Sequence, residues 1–545
     1  MAIITVVTCP TYMYFSFMTD HFPFYISLII VIVLLVMLAE KIKVAYPVVL
    51  VAAGLLISFM PFIPSVHITP ELIFVIFLPP LLYEASWAIS WKELWRWRRI
   101  VGSFAFVVVF FTALSVAFVA NYFIPGFSLA LGLLLGGIVS PPDAVSAGAI
   151  MQFVKVPKRV SVILEGESLL NDASSLIIFR FALIAVATGQ FIWYSAALTF
   201  GWMLLGGIGI GLTIGWLFMK AHRHLPTNAN IDTVLSLVTP YVMYIAAEEV
   251  HSSGVLAVVS GGLLLSNKRH WFLSSSSRLR GINVWSSLAF VLNGLVFVLI
   301  GLDLPEITAG LKKEGSSFMG AVGYSLLITA TLIIVRIMAA YGAVFVTLIA
   351  RNFINVADSR HPGYQTPLLL GWTGMRGVVS LAAALSIPVR LAGGAEFPQR
   401  SLILFITFAV ILATLLLQGL TLPAVVSRIK LPDYFDEDST SEEESENIIH
   451  REMSAYALNE LKSVYAGRWE NSSILQQLAS KWEGKSANNP EAVFSEDSLN
   501  IYFDLLNKQR TWLIHKNETD DHFDEDVIRK HLKLIDIEEE KLRSL

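Results

Sequence analysis

Glu165-Gly166-Glu167-Ser168-Leu169-Leu170-Asn171-Asp172 lies in the stretch from Leu164 to Arg180, which is otherwise apolar enough to cross a bilayer. Three carboxylates, a hydroxyl and an amide occupy two turns of an apolar helix there. An ionisable group in hydrocarbon costs about 2.5–3.5 kcal/mol on insertion scales, so such groups are rare unless paired or functional. The octapeptide implies an intramembrane cation or proton site. At about 100° per residue, Glu165, Ser168 and Asp172 fall within about 60° of one another. Glu167 and Asn171 form an i,i+4 pair on a different face. The first face offers a carboxylate with a hydroxyl nearby, oxygen ligands that suit a partly dehydrated hard cation. The second offers a carboxylate that its own Asn can hydrogen-bond.

The rest of the chain is composed for the same surroundings. Its 545 residues are 55% apolar and only 15% charged, against about 25% charged in soluble domains. Apolar runs of the length that spans hydrocarbon recur through position 427. They predict thirteen helical spans, near 22–40, 44–62, 70–90, 101–124, 127–152, 163–188, 192–219, 231–249, 253–267, 281–303, 318–350, 365–388 and 399–427. The short alternating segments of a membrane barrel are absent. The expected fold is therefore an all-α polytopic membrane protein. Cys9, the single cysteine, excludes an intrachain disulfide, and no ligand cluster suggests zinc or iron–sulfur. The first 20 residues lack a basic stretch and a small-residue cleavage site, so no cleaved signal peptide is expected.

Basic residues sort the connecting loops into two sets. Alternate loops carry Lys41 and Lys43; Lys92, Arg96, Arg98 and Arg99; Lys155, Lys158 and Arg159; Lys220 and Arg223. The series continues with Lys268, Arg269, Arg278 and Arg280, then Arg351 and Arg360, then Arg428 and Lys430. The intervening loops hold only Lys312, Lys313, Arg390 and Arg400. The positive-inside rule then puts the N-terminus outside and the C-terminal tail in the cytoplasm. Trp91, Trp95 and Trp97 fit an interfacial belt. Three regions follow: a transmembrane domain over 1–430, an acidic linker over 431–447 and a helical cytoplasmic tail domain over 448–545. Trp469, Trp482 and Trp512 are the expected tail core.

Two spans are interrupted. In the fifth, Gly136-Gly137 is followed by Ser140-Pro141-Pro142-Asp143; in the twelfth, Gly371-Trp372-Thr373-Gly374-Met375-Arg376-Gly377 is a glycine-rich break carrying a cation. Each proline removes a backbone donor, and non-helical backbone at membrane depth survives only beside buried protein or a water-filled cavity. The breaks are seven spans apart, so they cross in opposite directions, as in an inverted repeat with broken helices meeting at the midplane. The backbone of Pro141, Pro142, Gly374 and Gly377 would then frame the site.

Asp172 is the candidate carrier: cation and proton would compete for one carboxylate, which at an alternating site is enough for exchange. Asp143 either supplies a second carboxylate or caps the half-helix after the double proline. Glu167 and Arg376 read as a structural ion pair, with Arg336 as the competing partner. Arg180 can snorkel or pair locally, and it receives no functional role. Glu84 is expected in a structural or vestibular place, Glu248 and Glu249 in solvent, and His251 at an interface. No nucleophile–base pair or paired metal ligands occur in the spans, so neither an enzyme nor a cofactor is expected. The absence of a repeated filter segment argues against a cation channel.

Phe77-Leu78-Pro79-Pro80, Pro142-Asp143-Ala144-Val145, Gly166-Glu167-Ser168-Leu169-Leu170-Asn171-Asp172 and Gly374-Met375-Arg376-Gly377 resemble the sodium/proton exchangers of the monovalent cation/proton antiporter-1 family. The resemblance covers about residues 22 to 430. It implies a thirteen-helix homodimer with a mobile core domain, a dimerisation domain and elevator-like alternating access. It also implies one-for-one, electroneutral exchange of Na⁺ (or K⁺ or Li⁺) for H⁺ across the plasma (inner) membrane, with lipid and ions as partners and no nucleic acid. Asp172 carries over as the ion-binding aspartate, Asn171 as its partner, Ser168 and Asp143 as site lining, and Glu167 with Arg376 as the stabilising pair. One departure stands out: many family members have Thr-Asp-Pro at the first break, where this chain has Pro141-Pro142-Asp143. A threonine hydroxyl is missing at Pro142, leaving its backbone carbonyl to face the ion.

Overall fold

A computed structural model describes the chain except residues 1–9, 61–71, 152–155, 157, 190–192, 314–316, 351–364, 392–393, 429–441, 466–471, 484–495, 520–522 and 544–545. Cys9, Lys155, Arg351, Arg360, Lys430, Trp469 and most of the acidic linker thus lie outside the described residues.

The apolar region opens with α1 (Pro10–Ile42), α2 (Tyr46–Ser58) and α3 (Leu78–Ala88). α4 (Trp91–Gly102) and α5 (Val109–Phe123) are two parts of one continuous helix. α6 (Leu129–Val139) and α7 (Ala144–Met151) are the halves of a broken one. Then come α8 (Lys158–Thr188), α9 (Trp193–His224), α10 (Ala229–Glu249), α11 (Gly254–Phe272) and α12 (Ser275–Leu302). The short α13 (Leu304–Lys313) leads to α14 (Phe318–Ala350), and α15 (Gln365–Trp372) and α16 (Val378–Leu385) form the second broken helix. α17 (Arg400–Arg428) ends the region; α18 (Glu442–Val464), α19 (Ser473–Trp482), α20 (Glu496–Thr519) and α21 (Glu525–Arg543) make up the tail.

Local chemistry accounts for many of the boundaries. Ser90, Ser128, Asn228, Ser253 and Ser274 each accept a hydrogen bond from the first turn of α4, α6, α10, α11 and α12, satisfying donors that the helix itself leaves orphaned. Six helical segments among the described residues are long and apolar enough to cross a membrane by themselves. Their outward faces are apolar: Leu34 and Met37 on α1, Phe110 and Phe111 on α5, Leu205 on α9 and Phe345 on α14 are exposed. A soluble bundle would place polar residues there. With hydrocarbon as the solvent, this surface is the expected one for a multi-pass membrane protein.

The helices pack as two groups. In one, α12 lies against α2 and α3, and α11 lies against α3, α9 and α10. In the other, α6 lies between α5 and α8, and α14 lies against α5, α15 and α17. Small residues allow the closest approach. A Cβ on Gly136 would stand 2.2 Å from the Ala113 carbonyl oxygen, and one on Gly132 would stand 2.6 Å from that of Ala117. This is the small-residue spacing that lets membrane helices touch backbone to backbone. The tail has its own apolar core around Leu461, Leu475, Leu505, Leu513 and Ile528, with Trp482 and Trp512 packed at its edge.

Candidate ion-binding site

The two broken helices touch at their breaks: the Asp143 N–H donates to the Met375 carbonyl oxygen at 2.7 Å. Pro141 and Pro142 bring no donor of their own, so the interruption leaves few backbone groups to satisfy. Asp143 caps α7, its Oδ1 accepting from Val145 N at 3.0 Å and its Oδ2 from the Ser146 hydroxyl at 2.6 Å. Gly377 is the N-cap position of α16 and carries no capping side chain. A Cβ on Gly377 would stand 2.4 Å from Asp143 Oδ2. The missing methyl therefore lets one carboxylate sit over the positive ends of two half-helices, α7 and α16.

That contact makes a prediction. Gly377→Ala should displace the Asp143 carboxylate and lower cation exchange by at least about tenfold, about 1.4 kcal/mol. Gly148→Ala, whose Cβ would meet nothing within 4 Å, should be silent. Parallel uptake assays of the two proteins check this; equal rates would mean that the carboxylate can move freely.

α8 brings the octapeptide to this crossing. Glu165, Ser168 and Asp172 line a cavity of about 230 Å³, whose wall also includes Pro141, Pro142, Asp143 and Gly377. Asp172 is 9% exposed, and no group among the described residues donates a hydrogen bond to its carboxylate. Asn171 is not among the residues that line the cavity: its Nδ2 donates to the Pro142 carbonyl at 2.9 Å, while its buried Oδ1 has no partner among the described residues. The Pro142 carbonyl, expected to be left for an ion, is thus engaged by Asn171.

Glu167 is fully buried, and its partner is Arg336 of α14, not the expected Arg376. Two parallel hydrogen bonds, Nη1 to Oε1 at 2.7 Å and Nη2 to Oε2 at 2.8 Å, join them. The reason lies in the second break. A Cβ on Gly374 would stand 2.5 Å from Arg336 Cδ, so the glycine opens the path along which the Arg336 stem reaches Glu167. Arg376 is buried beside this pair; its backbone N–H donates to the Thr414 hydroxyl at 3.2 Å, and its Nε and Nη1 have no hydrogen-bond partner among the described residues.

Other placements differ from expectation. Arg180 and Glu248, read as roleless and solvated, form an ion pair at 2.6 Å that ties α8 to α10. Glu248 also accepts from Gly254 N at 3.2 Å, whereas Glu249 is exposed. His251 is exposed just beyond α10, with a left-handed φ of 57°. Glu84 stands on the wall of this cavity and on that of an adjoining one of about 190 Å³. Asn293 of α12 and Ser380 of α16 also line the first cavity, and neither was singled out from sequence. Asn293 carried a usable signal, being a lone amide in the middle of an apolar span.

A cavity walled by carboxylates and a hydroxyl, at the meeting of two half-helix ends, can take a small hard cation or a proton. The family of the chain accords with this chemistry. Residues 27–428 match the model of the transmembrane sodium/hydrogen exchangers, and the chain belongs to that family. It is 35% identical over 385 residues to the sodium, potassium, lithium and rubidium/H⁺ antiporter of Bacillus subtilis, covering 69% of this chain and 57% of that protein. The match thus spans little more than half the length of that relative. It is 34% identical over 395 residues to the Na⁺/H⁺ antiporter ApNhaP of Aphanothece halophytica, covering 71% of this chain and 70% of the relative. In structure it resembles the sodium proton antiporter MjNhaP1 of Methanocaldococcus jannaschii, with a TM-score of 0.60 at 18% identity, over 76% of this chain and 99% of the other. That likeness establishes the fold.

Proposed function

We propose that the protein is a secondary transporter, not an enzyme, that exchanges a monovalent cation for protons by alternating access. The observation that carries this reading is the placement of Asp172, Ser168 and Asp143 on one cavity at the crossing of two broken helices. Asp172 binds cation or proton in turn, Ser168 and Asp143 line its site, and the Glu167–Arg336 pair holds α8 in register with α14. Asn171, a neutral amide, tethers α8 to the first break. With Asp172 as the single carrier, one proton is exchanged per cation, and the cycle is electroneutral.

Na⁺ is the proposed first substrate, with K⁺ and Li⁺ as alternatives. The Bacillus subtilis relative is named as an antiporter of sodium, potassium, lithium and rubidium, and that of Aphanothece halophytica as one of Na⁺, which supports the choice. The remaining proposals are thirteen spans in a plasma-membrane homodimer, an outside N-terminus and a cytoplasmic tail. The tail contacts the end of the bundle that carries Lys92, Arg269 and Arg278, the basic-loop side, which supports the orientation.

Proteoliposomes with a pH-sensitive dye inside test the reading. Outward-directed Na⁺, K⁺ or Li⁺ gradients should each be compared at several pH values, with and without an imposed potential. Cation-driven proton movement unaffected by the potential is expected. Conductance without obligatory proton counter-movement would replace exchange by a channel.

A further inference from the structure

The last helix of the chain grips the membrane region at one corner. α3 ends at Ala88 and α4 begins at Trp91, so the last carbonyls of α3 and the first N–H groups of α4, which have no partners within their own helices, lie on either side of a two-residue turn. Arg529 of α21 takes the first set: its Nη1 and Nη2 donate to the carbonyl oxygens of Ala88 (2.8 Å) and Ile89 (2.9 Å). Glu525, one turn earlier, takes the second: its Oε2 accepts from the Ser90 hydroxyl (2.5 Å) and the Lys92 N–H (3.0 Å). Glu525 and Arg529 are themselves paired at 2.9 Å. A cation thus sits at the negative end of α3 and an anion at the positive end of α4, the arrangement that helix dipoles favour.

A second grip lies further along α21. Arg278 at the start of α12 forms a two-bond pair with Asp536, both buried, and Asp536 also accepts from Arg510 of α20 at 3.1 Å. The Ser276 hydroxyl adds a bond to Glu540. The first grip straddles the division between the helix groups, with Arg529 on the end of α3 and Glu525 on the start of α4, and the second lies on the α12 side. α12 packs with α2 and α3, whereas α4 packs on α8, which carries Asp172. Ala88 and Ile89 also lie on the wall of the ion cavity.

We infer that α21 is a brake: docked, it ties the α12 side to the α4–α8 side at the lip of the ion cavity, and it must let go of the corner for the two groups to rearrange. The inference rests on the proposed exchange cycle. It adds that the tail limits the rate of that cycle without touching the ion.

The full chain in proteoliposomes tests it, on a Cys9→Ser background. Release by Glu525→Gln with Arg529→Gln should raise the initial exchange rate several-fold and leave the apparent cation affinity unchanged. Locking by a reversible thiol cross-link between Lys92→Cys and Phe523→Cys, whose parent residues are joined by a bond from Lys92 Nζ to the Phe523 carbonyl at 3.3 Å, should slow exchange, and reduction should restore it. The lock is read within one folded protein, so it decides the matter even if the release variant fails to fold. Cross-linked protein exchanging as fast as its reduced form overturns the brake. Hydrogen exchange in the first turn of α4 reads docking without transport and should rise in the release variant. If it rises while transport stays at the wild-type rate, the clamp exists but is no brake. If wild-type protein moves no protons, the proposed exchange fails instead.

Discussion

Asp172→Asn is expected to lower cation-driven proton movement by at least about a hundredfold, about 2.8 kcal/mol, while leaving the protein folded. The substitution is nearly isosteric. It removes no ion pair and no hydrogen bond, because the Asp172 carboxylate receives none among the described residues. What it removes is a carboxylate on the cavity wall that can hold either a cation or a proton without first breaking a structural contact. Asp143 cannot substitute, since both of its oxygens cap α7. Two measurements check this: the liposome assay, and the rise in thermal stability with cation that binding to the native state must produce. Both should be lost together. Wild-type exchange by the variant would move the carrier elsewhere, with Glu165 and Glu84 the remaining carboxylates on that cavity.

The largest effect on stability is expected from Arg336→Met. It strands the Glu167 carboxylate, which is fully buried and bonded through both oxygens to that guanidinium. Breaking a buried pair on one side costs about 3–5 kcal/mol, whereas replacing both partners by apolar residues of similar volume is often near neutral. Arg336→Met should therefore sharply reduce yield and melting temperature, and Arg336→Met with Glu167→Leu should regain much of the loss. Arg376→Met should cost less, since two of its guanidinium nitrogens have no hydrogen bond to lose among the described residues. Melting curves of detergent-purified protein give the order. If Arg376→Met proves the more damaging and the double variant shows no recovery, Glu167 answers to Arg376 after all.

That pair shows where sequence reading runs out. The division of the octapeptide into two faces follows from 3.6 residues per turn, and the cavity receives Glu165, Ser168 and Asp172 while Glu167 and Asn171 turn away. The two breaks were legible because proline and glycine interrupt a helix through their own covalent geometry. The choice between Arg336 and Arg376 was not legible: it depends on how α14 is rotated and on the space that Gly374 leaves, neither of which is a local property. Arg180 with Glu248 failed in the same way, two charges on separate helices whose meeting no periodicity announces.

The sequence by itself thus determined what each segment is: apolar helices, two interruptions, and a carboxylate cluster with a polar and a supporting face. These follow from the preferences of single residues and near neighbours along one axis. Only the tertiary structure decided which groups meet. Arg336 reaches Glu167 across 169 residues, and Glu525 reaches Ser90 across 435. Such pairings depend on the position and rotation of whole helices, set by close contacts such as Gly136 on the Ala113 backbone and Gly374 on the Arg336 side chain. Packing around the charge cluster determines which carboxylate is committed to the fold, Glu167, and which is left facing the cavity, Asp172.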